Sequence, residues 1–464
     1  MARKQTNYKA HWLIRIIIVL FVAAAMAVSV LFFEDQINKA LGLKRIDESQ
    51  YSGDTADEVI ANTSGIALTV HFIDVGQGDA CIIQFPDHKT MLIDGAEKGY
   101  GDVINNYIEQ NIKDKNGNTI EKFDYALLTH SDSDHCGSMN QVLAEYPCDV
   151  FYRPNVKATR SGYVDDNPDL TSDCAEKATL AYKNTIEEGE KANQVFVTSW
   201  DTPAITGNDG SGNDYSLTFY GPISDNYKDW NDYSPVMILE YKGVKMAMTG
   251  DLEKEGEQEF VDRVQADKNN VASKYSVFDN DFHCDVIKAG HHGSKTSTST
   301  AFVETITNSN YIQNTLMVIS CGFDNSYGHP HAEKLEQFKQ NGFKEENVLR
   351  TDKNGTIVLS VNQAGQLMYG ASPIVKTPKK LIDWRYIAIV ITVGVALVVL
   401  IEPAVKQGKK KIKSEVKSMV RATLGDDDYS SSSSRSSSSK SSSTRKSATR
   451  KTTRKTTSSR TKKK

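Results

Sequence analysis

The chain has 464 residues, 25% of them charged and 39% hydrophobic, with 30 Gly, 11 Pro and 6 Cys. This composition excludes a collagen, a disulfide-stapled miniprotein and a largely disordered polymer. The formal net charge of −4 hides an asymmetry: Lys406 to Lys464 holds 19 Lys and Arg against 4 Asp and Glu, leaving about −19 on a body that repels polyanions at long range. In chain order, residues 1–12 are basic, and residues 13–33 are apolar except for Arg15 and Ser29. About 20 such residues cross the hydrocarbon layer. Arg3, Lys4, Lys9 and Arg15 before the run, with Glu34 and Asp35 after it, predict a transmembrane helix with a cytoplasmic N-terminus. A cleaved signal peptide is the competing reading, although the apolar run continues past Ala23 to Ala27.

Residues 34–65 are polar and aperiodic and read as a linker. From Ile66, the short runs Ala67 to Asp74, Ala80 to Phe85 and Thr90 to Asp94, broken by Gly, Pro and Asp, predict adjacent strands. Helices are predicted over 102–112, 138–146, 253–264 and 332–341. Further strands are predicted over 125–129, 216–220, 236–241, 244–249, 285–288, 316–320 and 356–360. A meander followed by interleaved strands and helices implies an α/β domain over 66–372, two sheets flanked by helices. Asn155 to Gly212 reads as a long polar insert. A second transmembrane helix is predicted over 381–402, with Trp384 and Tyr386 at one interface and Lys406 to Lys413 at the other. Residues 403–464 form a basic tail, Ser-rich beyond 430, that cannot bury enough apolar surface to fold. Two crossings put both termini in the cytoplasm and the domain outside, in a two-pass cell-membrane protein. The tail suits anionic lipid or nucleic acid, with a merely solubilising role as the plain alternative.

The chemistry concentrates at strand ends. The hydrophobic run Leu127-Leu128-Thr129 enters a loop with His130, Asp132, Asp134 and His135, four metal-ligand types in six residues. An isolated HxD is more often a solvated turn, but HxDxDH after a buried strand can feed two adjacent ions. Met246 to Met248 leads through Thr249-Gly250 to Asp251, and Val286 to Lys288 leads through Ala289-Gly290 to His291 and His292. Asp251 could equally cap the helix that follows. Carboxylate and imidazole donors suit Zn or Mn. Cys81, Cys136, Cys148, Cys174, Cys284 and Cys321 permit disulfides in an oxidising compartment, Cys148 with Cys174 being one candidate pair.

The order HxDxDH, TGD, HHGS, together with Phe72 to Ala80, Leu92 to Gly95, Ser326 to His331 and Arg350-Thr351-Asp352, resembles the metallo-β-lactamase fold superfamily. Within it, the resemblance is to the C-terminal hydrolase domain of bacterial competence DNA-uptake channel proteins. It spans about residues 68–360 and implies an αββα sandwich. It further implies that His130, Asp132, Asp134, His135, Asp251 and His291 ligate two divalent ions, Zn or Mn, with Asp251 as the bridge. Asp94 would orient the ligand loop. Gln77 and Asp79 would lie beside the metals, and His329 would contact substrate or protonate the leaving group. His292 would either replace His291 as ligand or touch substrate. The chain departs from the commoner HxHxDH at Asp132. No clear histidine lies between Tyr146 and Asp251, where Asn231 stands at about the place of a further ligand, so one metal position is oxygen-rich or weakly occupied.

This ligand set implies hydrolysis by metal-activated hydroxide, with Asp134 and His329 as catalytic residues. The leading expectation is a membrane-anchored extracytoplasmic phosphodiesterase or nuclease. With only two spans, the chain is not itself a DNA channel. The alternatives are a hydrolase of a cell-wall phosphodiester or of a small ester or lactone, and a non-catalytic surface receptor or scaffold.

Overall fold

The computed structural model describes residues 14–25, 54–62, 67–160, 162–170, 174–372, 391–395, 399 and 402–424. The chain divides into two compact units, one of residues 45–379 and one of residues 1–44 with 380–464. In the larger unit, strands β1 (Leu68–Phe72), β2 (Cys81–Gln84), β3 (Thr90–Ile93), β4 (Phe123–Leu127) and β5 (Cys148–Arg153) are followed by the short strands β6 (Val156–Arg160), β7 (Tyr163–Val164) and β8 (Ala175–Lys177). Then come β9 (Asn193–Phe196), β10 (Ile205–Asn208), β11 (Asp214–Phe219), β12 (Met237–Tyr241), β13 (Val244–Met248), β14 (Val286–Lys288), β15 (Leu316–Ile319), β16 (Val348–Arg350), β17 (Ile357–Val361) and β18 (Leu367–Ala371). One sheet has the order β18-β17-β1-β2-β3-β4-β5-β9, and a second has the order β10-β11-β12-β13-β14-β15-β16. In each, an antiparallel half passes into a parallel one, at β3–β4 and at β13–β14.

The two sheets pack face to face because their strands alternate. In Asp214–Phe219, Tyr215, Leu217 and Phe219 are buried and the residues between them are less so. These side chains meet Phe72, Phe85 and Tyr152 of the other sheet in one core, where Phe85 stacks on Tyr215 at 4.8 Å and Tyr152 on Phe219 at 5.6 Å. The outer face of the first sheet is covered by helices 101–111, 139–145 and 180–189 through Ile104, Ile108, Val142 and Ile186. That of the second sheet is covered by helices 254–267, 300–306 and 332–341 through Phe260, Val264, Phe302 and Phe338. The layers are therefore αββα, the expected metallo-β-lactamase-like sandwich. Its parallel halves direct the C-terminal ends of β3, β4, β13, β14 and β15 to one place.

Three features of the larger unit differ from the sequence expectations. The supposed linker contains a helix, Ala56–Asn62, whose Ala56 and Val59 pack on Val358, while Thr55 bridges to Ala371. The described residues of the polar insert form regular elements: β6 to β8 make a small sheet of their own, followed by the helix Leu180–Gly189 and by β9 and β10. The fully buried Arg153 anchors that insert, donating to Asp165 at 2.6 Å, to the Val156 carbonyl at 2.8 Å and to Gln194 at 3.0 Å. All six cysteines are free thiols, so Cys148 and Cys174 form no disulfide.

In the smaller unit, residues 14–25 and Glu402–Leu424 are helical, so the first part of the tail expected not to fold is a helix, and Arg15 donates to the Val399 carbonyl at 3.4 Å. Among the described residues, no helix is long and apolar enough to cross a membrane. The remainder of the spans expected over 13–33 and 381–402 lies outside the described residues, as does the tail beyond 424.

Candidate metal centre

Asp94 leaves the end of β3 with φ of 60° and is fully buried. One carboxylate oxygen accepts from the Thr129 backbone N–H at 2.8 Å. The other accepts from the Thr129 hydroxyl at 2.8 Å and lies 2.8 Å from His135 Nδ1. The ligand loop after β4 is thereby pinned to β3. Gly78, at φ +120°, lies under the same loop, and a Cβ there would come within 2.3 Å of the Asp134 carbonyl oxygen.

Four buried side chains converge: Asp79, His135, Asp251 and His292 each offer a ligand atom, all within 4.8 Å of one another. Their proton inventory is informative. His292 Nδ1 faces the Ser320 carbonyl at 2.9 Å, which only accepts, so that nitrogen carries the hydrogen. Its Nε2 then faces His135 Nε2 at 3.3 Å, Asp134 at 3.1 Å and Asp251 at 3.3 Å. His135 is in the same position, its Nδ1 directed at Asp94 and its Nε2 at Asp251, 3.2 Å away. Acceptors converging on acceptors require a positive charge between them, either extra protons on the imidazoles or a cation. The fully buried His130 adds a ring 4.2 Å from that of His135, and its Nε2 has no hydrogen-bond partner among the described residues; nor has Asp251 Oδ1. Borderline nitrogen and hard oxygen donors with orphaned lone pairs fit a divalent transition ion.

The field agrees. Burial alone would lower the affinity of His135 and His292 for a proton, but Asp251, assisted by Asp94 for His135 and by Asp134 for His292, raises both well above the ordinary imidazole range. Burial would raise the Asp134 carboxyl, yet the His292 hydrogen bond and the His135 charge hold it low. His130, by contrast, is lowered by burial and by His135. The site draws positive charge strongly enough to hold it on buried imidazoles.

The sequence candidates are not placed alike. Asp134, His135, Asp251 and Asp79 meet at the centre, with His130 beside them. Of the adjacent histidines, His292 enters the cluster, whereas His291 is held by Glu253 at 2.9 Å and lies 3.7 Å from Asp251. Both adopt positive φ, 46° and 54°, and both bring Nε2 towards the same Asp251 oxygen, His292 at 3.3 Å and His291 at 3.7 Å. Asp132 is not one of the four converging residues, and its Oδ1 accepts from Lys177 Nζ at 2.6 Å. Gln77 accepts from the Gly322 backbone N–H at 3.1 Å and ties its loop to the end of β15. The His329 ring lies 5.2 Å from that of His291 and 6.0 Å from that of His292. Burial, with His292 and His291 nearby, pushes His329 down to about 4. Asn231 is buried beside Glu253.

Apart from Asp94, the motifs did not reveal the partners that orient the ligands. Lys288 stands fully buried at the end of β14, 2.5 Å from Asp79; a lysine ending an otherwise apolar strand was its visible signal. Glu253 and the Ser320 carbonyl, which hold His291 and His292, had no such signal.

No protein-family profile matches the chain. It is similar to ComE operon protein 3 of Bacillus subtilis, 29% identical over 303 residues, which is 62% of this chain and 32% of that protein. It is also similar to competence protein ComA of Neisseria gonorrhoeae, 29% identical over 137 residues, 30% of this chain and 16% of that protein. The chain thus matches about a third or less of each of these relatives. Among solved structures, it aligns with Igni18, a metallo hydrolase from Ignicoccus hospitalis, at 12% identity and a TM-score of 0.33, over 62% of this chain and 98% of that one. The resemblance to competence proteins read from the motifs is borne out by these two curated relatives.

Proposed function

We propose that this chain is a membrane-anchored, metal-dependent phosphodiesterase whose α/β domain lies outside the cytoplasm and acts on nucleic acid. One observation carries the reading: buried ligand atoms of Asp79, His135, Asp251 and His292 converge within 4.8 Å, in a tautomer pattern that calls for positive charge between them, which a divalent ion would supply. With His130, Asp132, Asp134 and His291 around them, the donors are numerous enough for two divalent ions, Zn or Mn. Such an ion supplies an acidified water and positive charge at the reacting phosphorus. The protein does the positioning. Asp94, Glu253 and Ser320 fix His135, His291 and His292, and Lys288 balances Asp79. His329 is neutral at pH 7, so it serves substrate as a hydrogen-bonding group. Its Nδ1 has no partner among the described residues.

Nucleic acid is the leading phosphodiester because the motifs resemble those of competence DNA-uptake proteins and one curated relative is a competence protein. The apolar runs over 13–33 and 381–402 support the two-pass anchor, and the basic tail suits anionic lipid or nucleic acid on the cytoplasmic side. The test is turnover of DNA, RNA and bis(p-nitrophenyl) phosphate by the purified full chain with Mn²⁺ and with Zn²⁺. DNA cleavage that disappears in Asp134→Ala supports the proposal. Turnover of the small diester alone moves the substrate to another phosphodiester, and no turnover with either metal removes the enzyme reading.

A further inference from the structure

The strongest unabsorbed feature is a lysine from the insert seated on the ligand loop. Strand β8 runs parallel to β6 with Lys177 opposite Ala158, and this register brings the Lys177 ammonium to Asp132 Oδ1 at 2.6 Å. Lys177 is 8% exposed, and its Nζ lies 3.4 Å from the centre of the Trp230 ring. An ammonium held between a carboxylate and an aromatic face is fixed in place and does not sample solvent as a surface lysine does. Asp132, meanwhile, is absent from the group of four that converges at the centre.

We infer that Lys177 occupies the charge position of a cation on the Asp132 side, and so sets how many divalent ions the centre retains. The inference rests on the metal-centre reading and refines it. A carboxylate neutralised by an ammonium at 2.6 Å is a poor ligand, and a divalent ion brought to the same oxygen would be repelled by that ammonium. The ion on the His135, Asp251 and His292 side is then held tightly, while an ion shared by His130 and Asp132 is held weakly. Lys177 is a positioning residue, acting through Asp132 and through the charge it supplies.

The test is metal stoichiometry, independent of turnover. The full chain is stripped, reloaded with Mn²⁺, desalted and measured for metal per chain. The wild type is expected to retain about one ion and Lys177→Met about two, while Lys177→Arg, which keeps the charge, returns to about one. Thermal melts of the same samples separate misfolding from altered occupancy, and Trp230→Phe offers a second, milder disturbance of the ammonium. Two tightly held ions in the wild type, or one in a folded Lys177→Met, overturns the inference while leaving the metal centre standing. No ion in the wild type overturns both.

Discussion

His135 Nδ1 and a carboxylate oxygen of Asp94 lie 2.8 Å apart, with both side chains shut off from solvent, so the direction of a central imidazole is fixed by a residue from a neighbouring strand. Asp94→Asn keeps the shape but lets the side chain present N–H to a nitrogen that must itself donate. Loss of such an outer partner typically costs about 10–100-fold in metal affinity. Titration of the stripped protein with Mn²⁺ checks this, and an unchanged affinity would show that the Asp94–His135 contact is incidental.

Chelation gives a complementary expectation. A cation bound by the folded chain alone stabilises it by about 2.7 kcal/mol at a concentration 100 times its dissociation constant. The melting temperature should fall on adding EDTA and recover with excess Mn²⁺ or Zn²⁺. A melting curve indifferent to both would mean that the buried imidazoles carry protons instead.

His71 provides a pH test remote from the centre. It is fully buried on β1, between Tyr107 at 2.8 Å and Gln84 at 3.0 Å. Burial pushes its pKa from 6.5 down to about 4, against the opposing Gln84 hydrogen bond. The unfolded chain therefore takes up this proton near pH 6.5 and the folded chain only near 4. The stability from a neutral His71 is fully present above about 6.5 and is lost as pH falls towards 4, on the order of 3 kcal/mol across the window. Denaturant midpoints between pH 7.5 and 4.5 should fall more steeply in the wild type than in His71→Gln. Parallel profiles would refute the assignment.

The insert should behave as part of the folded domain. Asp165→Ala strands the Arg153 guanidinium, which is 0% exposed, and removing one partner of a buried pair costs about 3–5 kcal/mol. Equilibrium unfolding measures the loss. A change under 1 kcal/mol would indicate that the insert moves independently of the sandwich.

Much of this arrangement was legible in order of residues. The strand-ending HxDxDH, TGD and HHGS motifs located the centre, and the helix expected over 332–341 is observed as Ala332–Asn341, because amphipathic period and stop signals are local properties. Other elements escaped: β9, β16 and the helix Thr300–Ile306 are short, and these and β5 owe their form to the layers that cover them.

The sequence by itself determined which kinds of side chain end the strands, and hence the donor chemistry, since identity and spacing along one strand need no partner. Only the tertiary structure showed that His291 and His292 both reach Asp251, the first backed by Glu253 and the second by the Ser320 carbonyl, because their positive φ is backbone geometry that no spacing encodes. It alone assigned Asp132 to Lys177, 45 residues away, since a carboxylate faces whichever positive charge the fold brings nearest.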